Sequence, residues 1–110
     1  MTERERIKTA LWNVAGVKLV TTDWPKQFNT TPCIVLTMAG EQGADFRDDK
    51  EYLTEQEWYV RIFSAKEPEL LKVADGAQAA MEELGYARNL RWEEPGDAIR
   101  QVAIRMSKRM

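Results

Sequence analysis

The stretch that most constrains the fold runs from Ser64 to Tyr86, because both ends of a helix and its buried face can be read in it. Pro68 has the fixed φ and missing N–H that suit a first helical turn, and Glu67 and Glu69 place negative charge at the positive end of the helix dipole. Gly85 supplies a left-handed stop. Between these limits Leu70, Val73, Ala74, Ala77, Met81 and Leu84 recur every three or four residues, which confines them to one stripe of a helix. The stripe predicts a core face. Lys72, Asp75, Glu82 and Glu83 fall on the other side and are candidates for contact with water or a second subunit. Gly76 and Ala80 make a small-residue shoulder, where either the first helix or a neighbouring subunit can approach closely.

With 110 residues the chain is read as one domain, residues 1–110, able to bury roughly 65% of its unfolded surface without covalent staples. One cysteine precludes an internal disulfide, and the lack of histidine removes the commonest acid/base group and metal ligand at neutral pH. Sixteen basic and eighteen acidic side chains give a net charge of −2, with no global attraction to nucleic acid. Met1 to Arg6 lacks the order of a secretory signal, and no apolar run reaches the length of a membrane span. The expected setting is a cytoplasm, with no membrane partner.

Thr2 and Glu5 fit a capping box, and Ile7, Ala10, Leu11 and Val14 share one face of a short helix that Gly16 ends. Trp12 projects away from that face, and either covers the edge of the core or anchors an interface. Residues 16–22 read as a short strand at or near a sheet edge, broken by Trp24-Pro25. The β-branched run Cys33 to Met38 reads as a central strand, in which Cys33 is a small buried hydrophobe.

From Ala39 to Glu51 apolar residues become scarce and Gly40, Gly43, Asp45, Asp48, Asp49, Arg47 and Lys50 dominate around Phe46. The composition predicts a long polar hairpin loop that is solvated or ordered by a partner. Its carboxylates do not follow calcium-loop spacing. Tyr52 to Phe63 then alternates as a strand, with Trp58, Val60 and Ile62 on one face and Tyr59, Arg61 and Phe63 on the other. Two further strands, Tyr86 to Trp92 and Ile99 to Met106, are joined through Glu93-Glu94-Pro95-Gly96-Asp97. Val102, Ile104 and Met106 should face the core, and Gln101, Ala103 and Arg105 away from it. The predicted class is α+β: about five mainly antiparallel strands with two helices on one face, in the order α-β-β-β-α-β-β.

No nucleophile elbow, phosphate-binding glycine loop, paired-cysteine metal site or histidine dyad occurs in the sequence. Glu93 and Glu94 lie beside a Pro-Gly turn, without the apolar enclosure that would raise a carboxylate for acid/base work. The expectation is therefore a protein without catalytic, cofactor or metal residues. Arg100, Arg105, Lys108 and Arg109 form a basic C-terminal strip, either a solvated edge or, gathered in a ring of copies, a surface for phosphate.

Taken together, the short N-terminal helix, Gly16-Val-Lys-Leu, Thr31-Pro32-Cys-Ile-Val, Trp58-Tyr-Val-Arg-Ile-Phe-Ser64 and Pro68-Glu-Leu-Leu-Lys-Val-Ala-Asp resemble small tail-completion proteins of long-tailed phages and prophages. Met81-Glu-Glu-Leu-Gly-Tyr-Ala-Arg88 is the most specific stretch of that likeness, and Ala103 to Met106 resembles the last strand of the family. The resemblance implies a non-enzymatic protein that closes the head-proximal end of a tail as a ring, usually of six copies, and docks on the head connector. Tail-tube proteins, further copies of itself and DNA passing through the lumen are the implied partners, in the virion after assembly in the host cytoplasm. A tail terminator of similar fold, or a module binding a peptide or small ligand along the edge near Val17 to Val20, are the alternative readings. On the family reading the candidate interface comprises Trp12, Asp45, Phe46, Arg47, Asp48, Asp49, Lys72, Asp75, Glu82, Glu83 and Arg105.

Overall fold

The computed structural model describes residues 2–47, 50–96 and 98–109, with residues 40–47 and 50–54 described by their backbone. Its elements are α1 (Glu3–Trp12), β1 (Leu19–Thr21), β2 (Cys33–Arg47), β3 (Lys50–Ser64), α2 (Glu67–Glu83), β4 (Ala87–Glu94) and β5 (Arg100–Arg109). The order is the one predicted from sequence. The five strands form one sheet in the order β1-β2-β3-β5-β4. All neighbours are antiparallel except β1 and β2, which run parallel and make the sheet mixed.

Both helices lie on one face because both apolar stripes need the same cover. Ile7 and Leu11 of α1 and Leu70, Val73, Ala74, Ala77 and Met81 of α2 are buried against Ile34, Leu36, Trp58, Val60, Ile62, Val102, Ile104 and Met106. The Thr2 hydroxyl accepts from the Glu5 amide at 3.2 Å, making the forward half of the capping box. At the other end of α2, Gly85 has φ +96°, the Gly85 amide donates to the Glu82 carbonyl and the Tyr86 amide to that of Met81. This is a Schellman closure, and Tyr86, 3% exposed, follows it into the core.

Gly76 explains itself at the crossing of α1 and α2. A Cβ there would stand 2.6 Å from Val14 Cγ1, so the small shoulder serves an intramolecular contact with the end of the first helical segment.

The largest departure from the sequence reading is in residues 39–51. Among the described residues of this stretch there is strand in place of loop: β2 continues to Arg47 and pairs with β3 down to Arg47 opposite Lys50. Composition misled because glycine and acidic residues are poor strand formers, yet here backbone pairing with a long partner carries them. The register shifts between Met38 and Gly40 and around Asp45 mark the bulges that accommodate them. Fifteen residues at a rise of about 3.3 Å span roughly 50 Å, which accounts for a long axis of 52 Å against 24 and 23 Å for the others. β5 accompanies β3 only as far as Glu55 opposite Arg109. Beyond it, Gly43–Arg47 and Lys50–Thr54 form a two-stranded ribbon of about 17 Å.

Candidate interaction surface

The face of the sheet without helices is where alternation sends Thr37, Glu57, Tyr59, Arg61, Leu90, Trp92, Ala103 and Arg105. Near β1 this face is covered by the connection between β1 and β2. Phe28 stacks on Phe63 at 4.4 Å, Trp24 meets the same ring edge-on at 5.5 Å, and Cys33 and Val35 are buried beneath. Burial raises the pKa of the Cys33 thiol, which suits the inert packing role expected of it.

Towards β4 the cover ends and side chains organise one another. The Arg61 guanidinium lies 4.5 Å from the Tyr59 ring centre and 5.3 Å from that of Trp24, and donates to the Thr37 hydroxyl at 3.1 Å. Tyr59 in turn meets Trp92 edge to face at 6.2 Å. Alongside, Arg105 grips both carboxylate oxygens of Glu57 at 2.8 and 3.0 Å, and those bonds and the carboxylate charge raise its pKa further. Trp24 is 53% and Leu90 54% exposed. The result is a row, Trp24, Arg61, Tyr59 and Trp92, in which cation and rings hold each other's orientation before any partner arrives. Trp, Tyr and Arg are the side chains that dominate protein contact energies.

The residues singled out from sequence do not form one site. Trp12 is 46% exposed at the end of α1. Lys72, Glu82 and Glu83 are exposed along α2, while Asp75 pairs with Arg91 at 2.9 Å. Arg105 lies across the sheet from all of these. Asp45, Phe46 and Arg47 belong to the ribbon, and Asp48, Asp49 and Asp97 lie outside the described residues. The basic strip is largely occupied within the chain. Arg100 pairs with Glu67 at 2.7 Å, Arg105 with Glu57, and the Lys108 ammonium donates at 2.7 Å to the Leu84 carbonyl at the negative end of α2. Glu93 and Glu94 are exposed, as the turn beside them implies.

The row through Arg61 was half legible. Alternation in β3 already put Tyr59 and Arg61 together on one face, but Trp24 and Trp92 reach them only through the connection and the β4 register. Among the described residues there is no group of three metal-ligating side chains and no helix long and apolar enough to cross a membrane.

No family model matches the chain, and none of the curated proteins does. Among solved structures it is similar to a chain of the virion of a native gene transfer agent (GTA) particle, at 11% identity and a TM-score of 0.40, covering 94% of this chain and 82% of that one. A likeness of that size carries no argument about role.

Proposed function

We propose that this chain is a structural protein of a tailed phage or prophage that completes the head-proximal end of the tail and joins it to the head connector, acting as a ring and without catalysis. The resemblance across nearly the whole sequence supports the family. The observation that carries the mechanism is the ribbon, a two-stranded arm reaching beyond the packed body. Residues 43–54 hold four carboxylates and two cations, a net charge of −2, in a chain whose total is −2. The rest of the chain is therefore neutral overall, so the acidic arm of one copy meets no net repulsion from the body of the next. Contact of an arm with a different surface is heterologous, the kind of contact that closes a ring when the rotation between copies divides a full turn. The row from Trp24 to Trp92 supplies rigid anchors for the neighbouring copy or the connector, and the family resemblance implies six copies. Arg109, exposed at the end of β5, is the member of the basic strip suited to DNA in the lumen.

The test is negative-stain microscopy of particles made with the gene silenced, before and after purified protein is added. Filled heads beside finished tails, rejoined on addition, are the expected result. Intact particles without the protein would overturn the reading, and tails of uncontrolled length would reassign it to termination.

A further inference from the structure

The sheet face without helices and the far end of α2 each carry charge that one chain does not neutralise. On the open face Arg105 is taken by Glu57, Glu94 accepts from the Trp92 indole N–H at 3.1 Å, and Glu55 stands opposite Arg109. Arg61 meets no carboxylate among the described residues. One of its N–H groups goes to the Thr37 hydroxyl, and its guanidinium lies over the Tyr59 and Trp24 rings. A guanidinium presents five N–H donors in a rigid fork that matches a carboxylate, so this one is held in place with most of its donors still to be used.

Glu82 and Glu83 are the last two residues of α2, in a turn that has no basic side chain. Both are exposed, and neither has an ion-pair partner among the described residues. They add to the negative end of the helix dipole, which the Lys108 ammonium opposes at the Leu84 carbonyl. Two carboxylates at that end are unfavourable in a lone chain. α2 packs on one side of the sheet and Arg61 stands on the other, so these charges cannot meet within one molecule. Between two molecules they can.

Exposed apolar groups accompany both. Trp24 and Leu90 are each more than half exposed on the open side. On the helix side Trp12 is 46% exposed, and Asn13, which follows it, lines a groove between α1 and α2 together with Glu83. We propose that the open sheet face of one copy receives the C-terminal turn of α2 of a second copy, with Arg61 taking the carboxylate of Glu82 or Glu83 and Trp24 and Leu90 meeting the Trp12 side of the helix pair. The contact joins unlike surfaces, so each copy keeps one of each for its next neighbour. The ion pair sets the register, and the apolar groups supply the buried area. This rests on the ring reading and names the faces that meet, but it is tested on the purified chain alone, so its failure and that of the joining role are read in different experiments.

Sedimentation velocity of the full chain is followed up to about 1 mM. The parent should associate with rising concentration. Arg61→Glu makes both surfaces acidic, and Glu82→Arg with Glu83→Arg makes both basic, so each variant alone should associate at least tenfold more weakly while keeping the circular dichroism of the parent. The second variant changes exposed positions only and decides the helix half of the contact by itself. In an equimolar mixture of the two variants every acidic surface again has a basic counterpart, and association should return. A parent chain that stays monomeric, a variant that associates like the parent, or a mixture of folded variants that stays monomeric would overturn the proposal.

Discussion

One sheet has two faces that solve opposite problems. On the helix side, seventeen residues from α1, α2, Tyr86 and all strands but β4 are buried in one cluster, and each aliphatic group there is stabilised by removal from water. On the other side, a cluster of Cys33, Val35 and Phe63 is sealed by the β1–β2 connection, after which rings and guanidinium groups stand half in solvent. The difference teaches where sequence change is felt: on one face in stability, on the other in association.

The sharpest way to break that comparison is to truncate matched positions. Ile62→Ala on the helix side empties a fully buried site and should cost about 2–5 kcal/mol in urea unfolding. Leu90→Ala on the other face, at a site 54% exposed, should stay within about 0.5 kcal/mol. Comparable losses at both would remove the distinction between the faces.

A second probe concerns the helix crossing. Gly76→Ala gains about 1 kcal/mol in helix propensity, but its Cβ would stand 2.6 Å from Val14 Cγ1. Overpacking of this kind costs about 1–3 kcal/mol, so a net loss of about 1 kcal/mol is expected. Val14→Ala in the same chain should recover it, and a double-mutant cycle gives the coupling directly.

Ionisation tests the same core from within. Burial first, and the nearby Glu3 charge second, push the Tyr86 phenol up to about 12 from its ordinary value of 10. The folded state therefore holds this proton more tightly than the unfolded one. The corresponding stability is complete below pH 10 and is lost as pH rises towards 12. Denaturation midpoints of Tyr86→Phe should accordingly fall less steeply between pH 10 and 12 than those of the parent chain; identical slopes would contradict the assignment.

A small effect on stability is expected for Trp24→Ser, since that ring is half exposed and rests on Phe63 and Arg61. Its thermal midpoint should move by only a few degrees, while its ability to rejoin heads and tails falls severalfold.

The helix-side core was legible in sequence because periodicity is a local signal. Leu70 to Met81 repeats at helical spacing, Trp58, Val60 and Ile62 alternate, and all of them are buried together. The end of α2 was legible for the same reason, since Gly85 carries its left-handed turn in its chemistry. The ribbon was not, because its strands are held by pairing with distant residues rather than by their own propensities. The candidate surface was legible only in part. Arg105 could be placed on the face away from the helices, but its grip on Glu57, forty-eight residues earlier, depends on strand order and register. Trp24 could be seen to break a strand, and its place over Phe63 could not.

Whether the arm rather than the core carries the joining role is decided by adding back a chain lacking Gln42 to Lys50 to particles made without the protein. This shortened chain should keep the helical circular dichroism and cooperative unfolding of the parent yet leave heads and tails apart under the microscope. Rejoined, infectious particles from the shortened chain would contradict it.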